Sequence, residues 1–112
     1  MLNAKNRLKK RKEFGYIYKH GTKVYGQYLC VFFVSSKIQT PRIGISVGNK
    51  VGKAVVRNKL KRQIRHIMRE YVPKIKNINL IILVYPEIIT QDYQTLRQNI
   101  FKTLQKAKVI NE

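Results

Sequence analysis

Acidic residues are scarce in this chain of 112 residues, in which 5 Asp and Glu stand against 24 Lys and Arg. The few carboxylates are scattered along the sequence, whereas a two-metal phosphodiesterase needs several carboxylates that converge on one site. We therefore predict no catalytic residue and no metal ligand in the chain itself. The formal net charge of +19 instead favours a polyanionic partner such as RNA or DNA.

Cysteine and long apolar runs are also rare. The single cysteine, Cys30, cannot form an internal disulfide, and its position in an apolar run predicts a buried thiol in a reducing compartment. The longest apolar runs, 29–34 and 80–85, are far shorter than the roughly 20 residues that span a bilayer. The basic start leads into no apolar segment of the kind found in signal peptides. We therefore expect a cytoplasmic protein that binds no membrane.

The histidines and glycines offer little catalytic chemistry. His20 and His66 could in principle act as a general acid and base. A structural role explains each more simply, because His20 lies at the end of a predicted helix and His66 lies on a side of the basic helix away from Arg57. Gly44, Gly48 and Gly52 lack the Lys-Ser/Thr ending of a phosphate-binding loop. Nuclease activity of the protein alone is therefore disfavoured.

Positive charge, by contrast, is concentrated on one predicted helix. Residues 50–69 contain eight basic residues and no acidic one. At about 100° per residue over Ala54–Tyr71, one side collects Val56, Leu60, Ile64, Ile67 and Tyr71, with Met68 at its margin, and an adjacent side collects Arg57, Asn58, Lys61, Arg62, Arg65 and Arg69. Like charges four residues apart repel, and a polyanion would relieve that repulsion. The pattern predicts a helix that packs on a sheet and binds nucleic acid.

Spacing elsewhere predicts the other elements of a single domain that covers residues 1–112. Residues 1–9 are predicted as a mobile basic arm, 10–20 as a first helix closed by a left-handed Gly21, 23–35 as one bent strand or two strands, 41–47 as a strand, and 79–85 as a strand buried on both faces. A last helix follows Thr90 or Asp92, and the apolar line predicted to rest on the sheet is Tyr93, Leu96, Ile100, Leu104 and Ala107. The order α-β-β-β-α-β-α predicts an α+β two-layer sandwich, with the helices on one face of a mixed sheet of about four strands. Generic statistics favour a right-handed crossover through the basic helix.

Aromatic residues add a second kind of candidate contact. Phe14 and Tyr18 lie four residues apart on the first helix, and Phe32 lies on the long strand. Aromatic faces stack on unpaired bases, but aromatic side chains are also ordinary core residues. A sheet face that exposes these rings beside basic helices would suit a single-stranded segment better than a duplex groove.

A longer run of residues carries a family resemblance. Gly44-Ile45-Ser46-Val47, Lys50-Val51-Gly52, Ala54-Val55-Val56-Arg57-Asn58-Lys59 and Lys61-Arg62, with Arg65 beyond, resemble the signature of the bacterial ribonuclease P protein component. Near the start, Arg7-Leu8-Lys9-Lys10, Glu13-Phe14 and His20-Gly21 also fit the family pattern. The likeness extends over nearly the whole chain.

The resemblance implies a fold like ribosomal S5 domain 2, with a left-handed crossover that overrules the generic hand. It implies two RNA partners and no obligate protein partner: the catalytic RNA subunit, which holds the Mg²⁺ ions, and precursor tRNA, whose 5′ leader is removed. The implied RNA-binding residues are Lys50, Lys53, Arg57, Asn58, Lys59, Lys61, Arg62 and Arg65, and the implied leader-binding cleft consists of Phe14, Tyr18 and Phe32. The protein would raise substrate affinity and lower the magnesium requirement.

Three departures from the family pattern qualify this picture. Gly48-Asn49-Lys50 has one cation fewer than usual, and Lys53 replaces the asparagine that often precedes the basic helix. Tyr85-Pro86-Glu87 stands where basic residues are common, so RNA contacts in that loop are left open. The alternative functions are a ribosomal or other structural RNA-binding protein without a processing role, and a DNA-binding protein.

Overall fold

The computed structural model describes residues 3–75 and 77–110. Its helices and strands are α1 (Arg11–His20), β1 (Thr22–Tyr25), β2 (Leu29–Ser35), β3 (Arg42–Val47), α2 (Ala54–Tyr71), β4 (Ile78–Val84) and α3 (Tyr93–Lys106). This order confirms the predicted α+β class, and α2 has the predicted bounds. The residues predicted as one bent strand or two form two strands, β1 and β2. No helix in the described part of the chain is long and apolar enough to cross a membrane.

The four strands form one mixed sheet in the order β1-β2-β4-β3. β2 is antiparallel to both β1 and β4, whereas β3 and β4 are parallel neighbours joined through α2. Because β4 has a strand on each side and helices on both faces, Leu80, Ile81 and Ile82 are fully buried, as its continuous apolar run predicted. The left hand of the α2 crossover stays a prediction from the family resemblance.

The main core lies between one face of the sheet and helices α2 and α3. Alternate residues of the strands, such as Leu29, Val31, Leu80 and Ile82, point into it. The helices contribute their apolar sides: Leu60, Ile64, Ile67, Met68 and Tyr71 from α2, and Leu96, Ile100 and Leu104 from α3. The helical spacing predicted every one of these residues.

Helix α1 packs on the opposite face of the sheet, which differs from the prediction that all helices share one face. Ile17 of α1 and Leu8 pack on Ile81, with Phe14 and Phe32 partly buried around them. Ile81 alternates with Leu80 and Ile82 along β4, so this small cluster lies across the sheet from the main core. We call this side the open face, because a single helix of ten residues covers it.

Two local predictions need correction. Gly21 is extended, with φ −79°, rather than left-handed. A Cβ on Gly21 would lie 2.5 Å from the carbonyl oxygen of Ile17 and 3.0 Å from that of Phe33, so close packing accounts for the glycine. Val56, predicted to face the sheet, is 43% exposed, and its side chain lies over Gly52 in the preceding loop.

Residues 6–8 are packed, although residues 1–9 were predicted as a mobile basic arm; residues 1 and 2 lie outside the described residues. The Asn6 side chain is buried and its Nδ2 donates to the carbonyl oxygen of Pro41 at 2.9 Å. The Leu8 amide donates to the carbonyl oxygen of Ile43 at 2.9 Å, and the Leu8 side chain is buried. These contacts hold residues 6–8 along β3. The sequence did not predict this packing, because the segment is rich in lysine and arginine.

Candidate nucleic-acid interface

The basic side of α2 forms a shallow groove on the surface. Its lining consists of Val55, Asn58, Lys61, Arg62 and Arg65. Lys61 and Arg65 are half-buried, while Asn58 and Arg62 are exposed. Helical spacing alone predicted that these four polar residues share one side. We call them the cationic groove; they present three positive charges and an amide to solvent.

Four other residues of the predicted RNA-binding set lie around this groove. The Nε of Arg57 donates to the carbonyl oxygen of Gly52 at 3.1 Å, so this side chain also holds the loop before α2. Lys50 and Lys53 are exposed in that loop. Lys59 is exposed as well, but at about 100° per residue it lies on a different side of α2 from Lys61 and Arg65.

The start of the chain brings further cations to the cationic groove. A cavity of about 200 Å³ is lined by residues 7–9, Phe14, β3 and α2. Its cationic lining is Arg7, Lys9, Lys61 and Arg65, and its apolar lining is Leu8, Phe14, Ile43 and Ile45. Burial, followed by the nearby charge of Arg7, lowers the pKa of Arg65 from its usual value. Cations that crowd one cavity favour an anion between them.

Sequence reasoning did not assign Arg7 and Lys9 to a binding site, because it placed them on a mobile arm. One signal was available, since the apolar Leu8 stands alone between these two cations. A buried Leu8 directs its chain neighbours along the edge of β3.

The three predicted cleft aromatics come together on the open face. The ring centroids of Phe14 and Tyr18 lie 6.5 Å apart, and those of Tyr18 and Phe32 lie 4.9 Å apart, edge to face. Phe14 and Phe32 are half-buried, and Tyr18 is 38% exposed. We call these three rings the aromatic strip. Their partial exposure leaves ring surface available to a stacking base.

Two features hold Phe14 at the boundary between the aromatic strip and the cavity. A Cβ on Gly44 would lie 2.7 Å from the Phe14 ring, so glycine at this position of β3 lets the ring lie against the strand. The neighbouring Glu13 forms an ion pair with Arg42 of β3 at 2.5 Å. Together they tie the first turns of α1 to β3, and Phe14 is therefore shared by the strip and the cavity.

The loop after β4 differs from the rest of the interface in its chemistry. Burial, followed by a hydrogen bond with the thiol of Cys30, raises the pKa of Tyr85 to about 12. Cys30 is 1% exposed, as predicted from its apolar surroundings. Pro86–Thr90 forms a 3-10 helix with Glu87 in its first turn. This loop thus offers an aromatic ring and a carboxylate where the family often has cations.

Carboxylates and histidines are dispersed in the structure. No group of three or more His, Cys, Asp or Glu that could hold a metal ion occurs within residues 3–75 and 77–110. Glu13 and Glu70 pair with Arg42 and Arg97. The His20 ring lies 4.6 Å from that of Tyr16. The Glu13, Glu70 and His20 side chains thus take part in separate contacts.

Comparison with known proteins assigns the family. A model of the family described as Ribonuclease P matches residues 2–108. The ribonuclease P protein component of Streptococcus equi subsp. equi (strain 4047) is 33% identical over 106 residues, which are 95% of this chain and 89% of that protein.

Solved structures give the same answer. The RNase P protein of Staphylococcus aureus has a TM-score of 0.90 at 33% identity, over 95% of this chain and 98% of that one. The RNase P protein of Thermotoga maritima has a TM-score of 0.81 at 32% identity, over 89% of this chain and 96% of that one. Sequence and fold thus agree over almost the full length, and this chain belongs to the family of bacterial ribonuclease P protein components.

Proposed function

We propose that this chain acts as the protein subunit of ribonuclease P and assists the endonucleolytic removal of the 5′ leader from precursor tRNA in the cytoplasm. The cationic groove, with Arg57, Lys50 and Lys53 beside it, binds the catalytic RNA. The aromatic strip of Phe14, Tyr18 and Phe32 binds the single-stranded leader. Family membership supports the role, and the geometry of the interface supports this division of labour.

The observation that carries the proposal is the cavity shared by the two surfaces. Phe14 belongs to the aromatic strip and also lines the cavity, whereas Lys61 and Arg65 line both the cavity and the cationic groove. A leader that emerges beside the bound catalytic RNA can therefore pass from phosphate contacts to ring contacts. Aromatic rings that stack on bases distinguish unpaired bases from a duplex, whose bases are stacked on each other.

In this proposal the protein contributes binding and the RNA contributes bond cleavage. Mg²⁺ is held by the catalytic RNA in this proposal, as the family resemblance implies. The cations of α2 lower the repulsion between two RNA molecules, which reduces the magnesium concentration needed to bring them together. The aromatic strip holds the leader in place, and this raises the affinity for precursor over mature tRNA.

Reconstitution tests the proposal. The protein, a catalytic RNA of the same family and a precursor tRNA are mixed at low magnesium, and mature 5′ ends are measured. We expect cleavage with all three components and none with protein alone. Binding of RNA without stimulation would indicate a structural RNA-binding protein, preference for duplex DNA would indicate a DNA-binding protein, and cleavage by protein alone would indicate an autonomous nuclease.

A further inference from the structure

The open face carries aromatic and cationic groups beyond the aromatic strip. Lys23 and Tyr25 of β1 pair with Phe32 and Cys30 of β2, so their side chains point to the same face as Phe32. The Nζ of Lys23 lies 5.1 Å from the ring centroid of Phe32 and 4.5 Å from that of Tyr25. Rings and cation therefore form one continuous row from Phe14 to Tyr25.

Tyr25 is prominent at the end of this row. Its side chain is 57% exposed, more than any ring of the aromatic strip, so it contributes little buried surface to the fold. Lys23 is also exposed, and its contact with Tyr25 raises the pKa of its ammonium group. A large exposed ring beside a fixed positive charge is the combination that binds a base and its phosphate.

The turn after Tyr25 packs against α3 at the edge of the sheet, so the cations of α3 lie on the other side of the sheet from the Tyr25 ring. A Cβ on Gly26 would clash with the Oγ1 of Thr103, and the Nζ of Lys106 donates to the carbonyl oxygen of Tyr25 at 3.1 Å. A shallow groove of about 390 Å³ lies here. Its described lining includes Gln27, Asn99, Lys102 and Lys106 and contains no acidic residue.

Two further side chains, those of Tyr85 and Cys30, lie close to Tyr25. Burial of Tyr85 with its hydrogen bond to the buried Cys30 accounts for the raised pKa of that hydroxyl. Glu87 lies close enough to Tyr85 to contribute to the same shift, and it is the one acidic group that acts on this cluster in the described residues. Tyr85, in the loop that lacks the cations of the family, thus adds an aromatic ring next to Tyr25.

We propose that Lys23 and Tyr25 form a distal subsite, which binds unpaired leader nucleotides farther from the cleavage site than those on the aromatic strip. The proposal rests on the proposed function. If the cationic groove docks on the catalytic RNA, the Phe14 end of the row is nearest to the scissile bond. Tyr25 is then at the far end, and only leaders long enough to pass Phe32 reach it.

Leader length provides the test. Holoenzyme is reconstituted with the wild-type chain or with Tyr25→Ala, and the Kd is measured for precursor tRNAs whose leaders are shortened one nucleotide at a time. For the wild type, affinity should rise in a late step once the leader passes the aromatic strip. In Tyr25→Ala that late step should shrink by roughly five- to hundredfold, the usual effect of one lost stacking contact. Tyr25→Phe should restore it.

The control variants separate this subsite from folding and from general charge. Tyr16→Ala removes a ring of similar exposure on α1 outside the row, and it should leave the late step intact. Lys23→Gln should lower the salt slope for long leaders by about 0.7 and leave the slope for the shortest leader unchanged.

The outcomes are distinct. The distal subsite would be overturned if the affinity of the wild type did not rise when the leader is lengthened beyond the aromatic strip. It would also be overturned if Tyr25→Ala weakened binding equally for all leader lengths. In both cases the reconstituted cleavage activity would still support the proposed function. Failure of the wild-type protein to stimulate cleavage at all would overturn the proposed function and the subsite with it. Loss of the late step alone, with rescue by Tyr25→Phe, supports the subsite.

Discussion

The two faces of the sheet differ in how completely helices cover them. Facing α2 and α3, the side chains of Leu29, Val31, Leu80 and Ile82 are all fully buried. On the open face Ile81 is fully buried, but its neighbour Phe32 is only half-buried, and Lys23 and Tyr25 are exposed. Both faces are built from alternate residues of the same strands.

This difference teaches that one strand can serve two purposes without conflict. In β2, Val31 points into the main core and Phe32 points to the open face, so stability and recognition are encoded in alternate positions. A ring that is left half-exposed gains less from the hydrophobic effect than a buried one. The exposed part of the Phe32 ring is therefore the surface that the proposed function assigns to a base of the leader.

The largest expected effect is on the covered face. Ile82→Ala should lower the free energy of unfolding by about 2–5 kcal/mol, because it leaves a cavity between β4 and the two helices. Chemical denaturation measures this loss. The binding of RNA by the fraction that stays folded should be unchanged, and a selective loss of leader affinity would contradict the separation of the two faces.

Charge removal on the cationic groove should come next. If about six phosphates are engaged as single-stranded contacts, the slope of log K against log salt is about −4, and Lys61→Gln, Arg62→Gln and Arg65→Gln together should bring it to about −2. Affinity for the catalytic RNA should fall by more than about tenfold at moderate salt. Filter binding across a salt series measures both quantities.

Lys59 provides the matched control for the single variant Lys61→Gln. It carries the same charge on the same helix but lies on a different side from Lys61 and Arg65. Lys59→Gln should change the affinity much less than Lys61→Gln. An equal loss would assign Lys59 to the RNA-binding side, and unchanged thermal unfolding in both variants keeps the comparison free of folding effects.

Adjacent aromatic residues of β2 allow the sharpest comparison of the faces. Phe32→Leu should reduce affinity for precursor tRNA by about 1–3 kcal/mol through loss of stacking, and change stability by less than about 1.5 kcal/mol. Phe33→Leu, whose ring packs against the main core, should affect stability without that loss of affinity. The hypothesis fails if both variants lower stability alone, since Phe32 would then be an ordinary core residue.

Sequence periodicity predicted the covered face almost completely. The apolar positions of α2 from Leu60 to Tyr71 and those of α3 are the buried ones, because burial of one side of a helix leaves a regular record in sequence. The side of the sheet on which α1 packs was predicted wrongly. Ile17 is the one buried residue of α1. So short an apolar pattern predicts that the helix packs on the sheet, but it does not predict on which face.

The candidate site was predictable in its parts but not in its continuity. Spacing placed Lys61, Arg62 and Arg65 on one side of α2, and the family resemblance supplied Phe14, Tyr18 and Phe32. The cavity that joins them depends on Arg7 and Lys9, which line it together with Lys61 and Arg65 of α2 only because of the tertiary fold. The row through Lys23 and Tyr25 depends on strand register, which sequence alone did not fix.

The smallest expected effect belongs to a helix cap behind the covered face. Oδ1 of Asp92 accepts a hydrogen bond from the Thr95 amide at 2.8 Å at the start of α3, and this bond lowers the pKa of the carboxyl group. Asp92→Ala should therefore lower Tm at neutral pH by about 5 °C or less, with no change in RNA binding. A capping side chain supports α3 and hence the main core, but it touches neither the cationic groove nor the aromatic strip.

The pH dependence gives this last prediction its test. Because the folded pKa of Asp92 lies below its unfolded value, the carboxylate stabilises the fold above the unfolded pKa, and this contribution is lost as the pH falls through the folded pKa. The difference in Tm between wild type and Asp92→Ala should thus narrow in acid. Asp92→Asn keeps an accepting oxygen at every pH, so its Tm relative to Asp92→Ala should stay constant. A gap between wild type and Asp92→Ala that stays constant in acid would show that the charge of Asp92 plays no part in supporting the covered face.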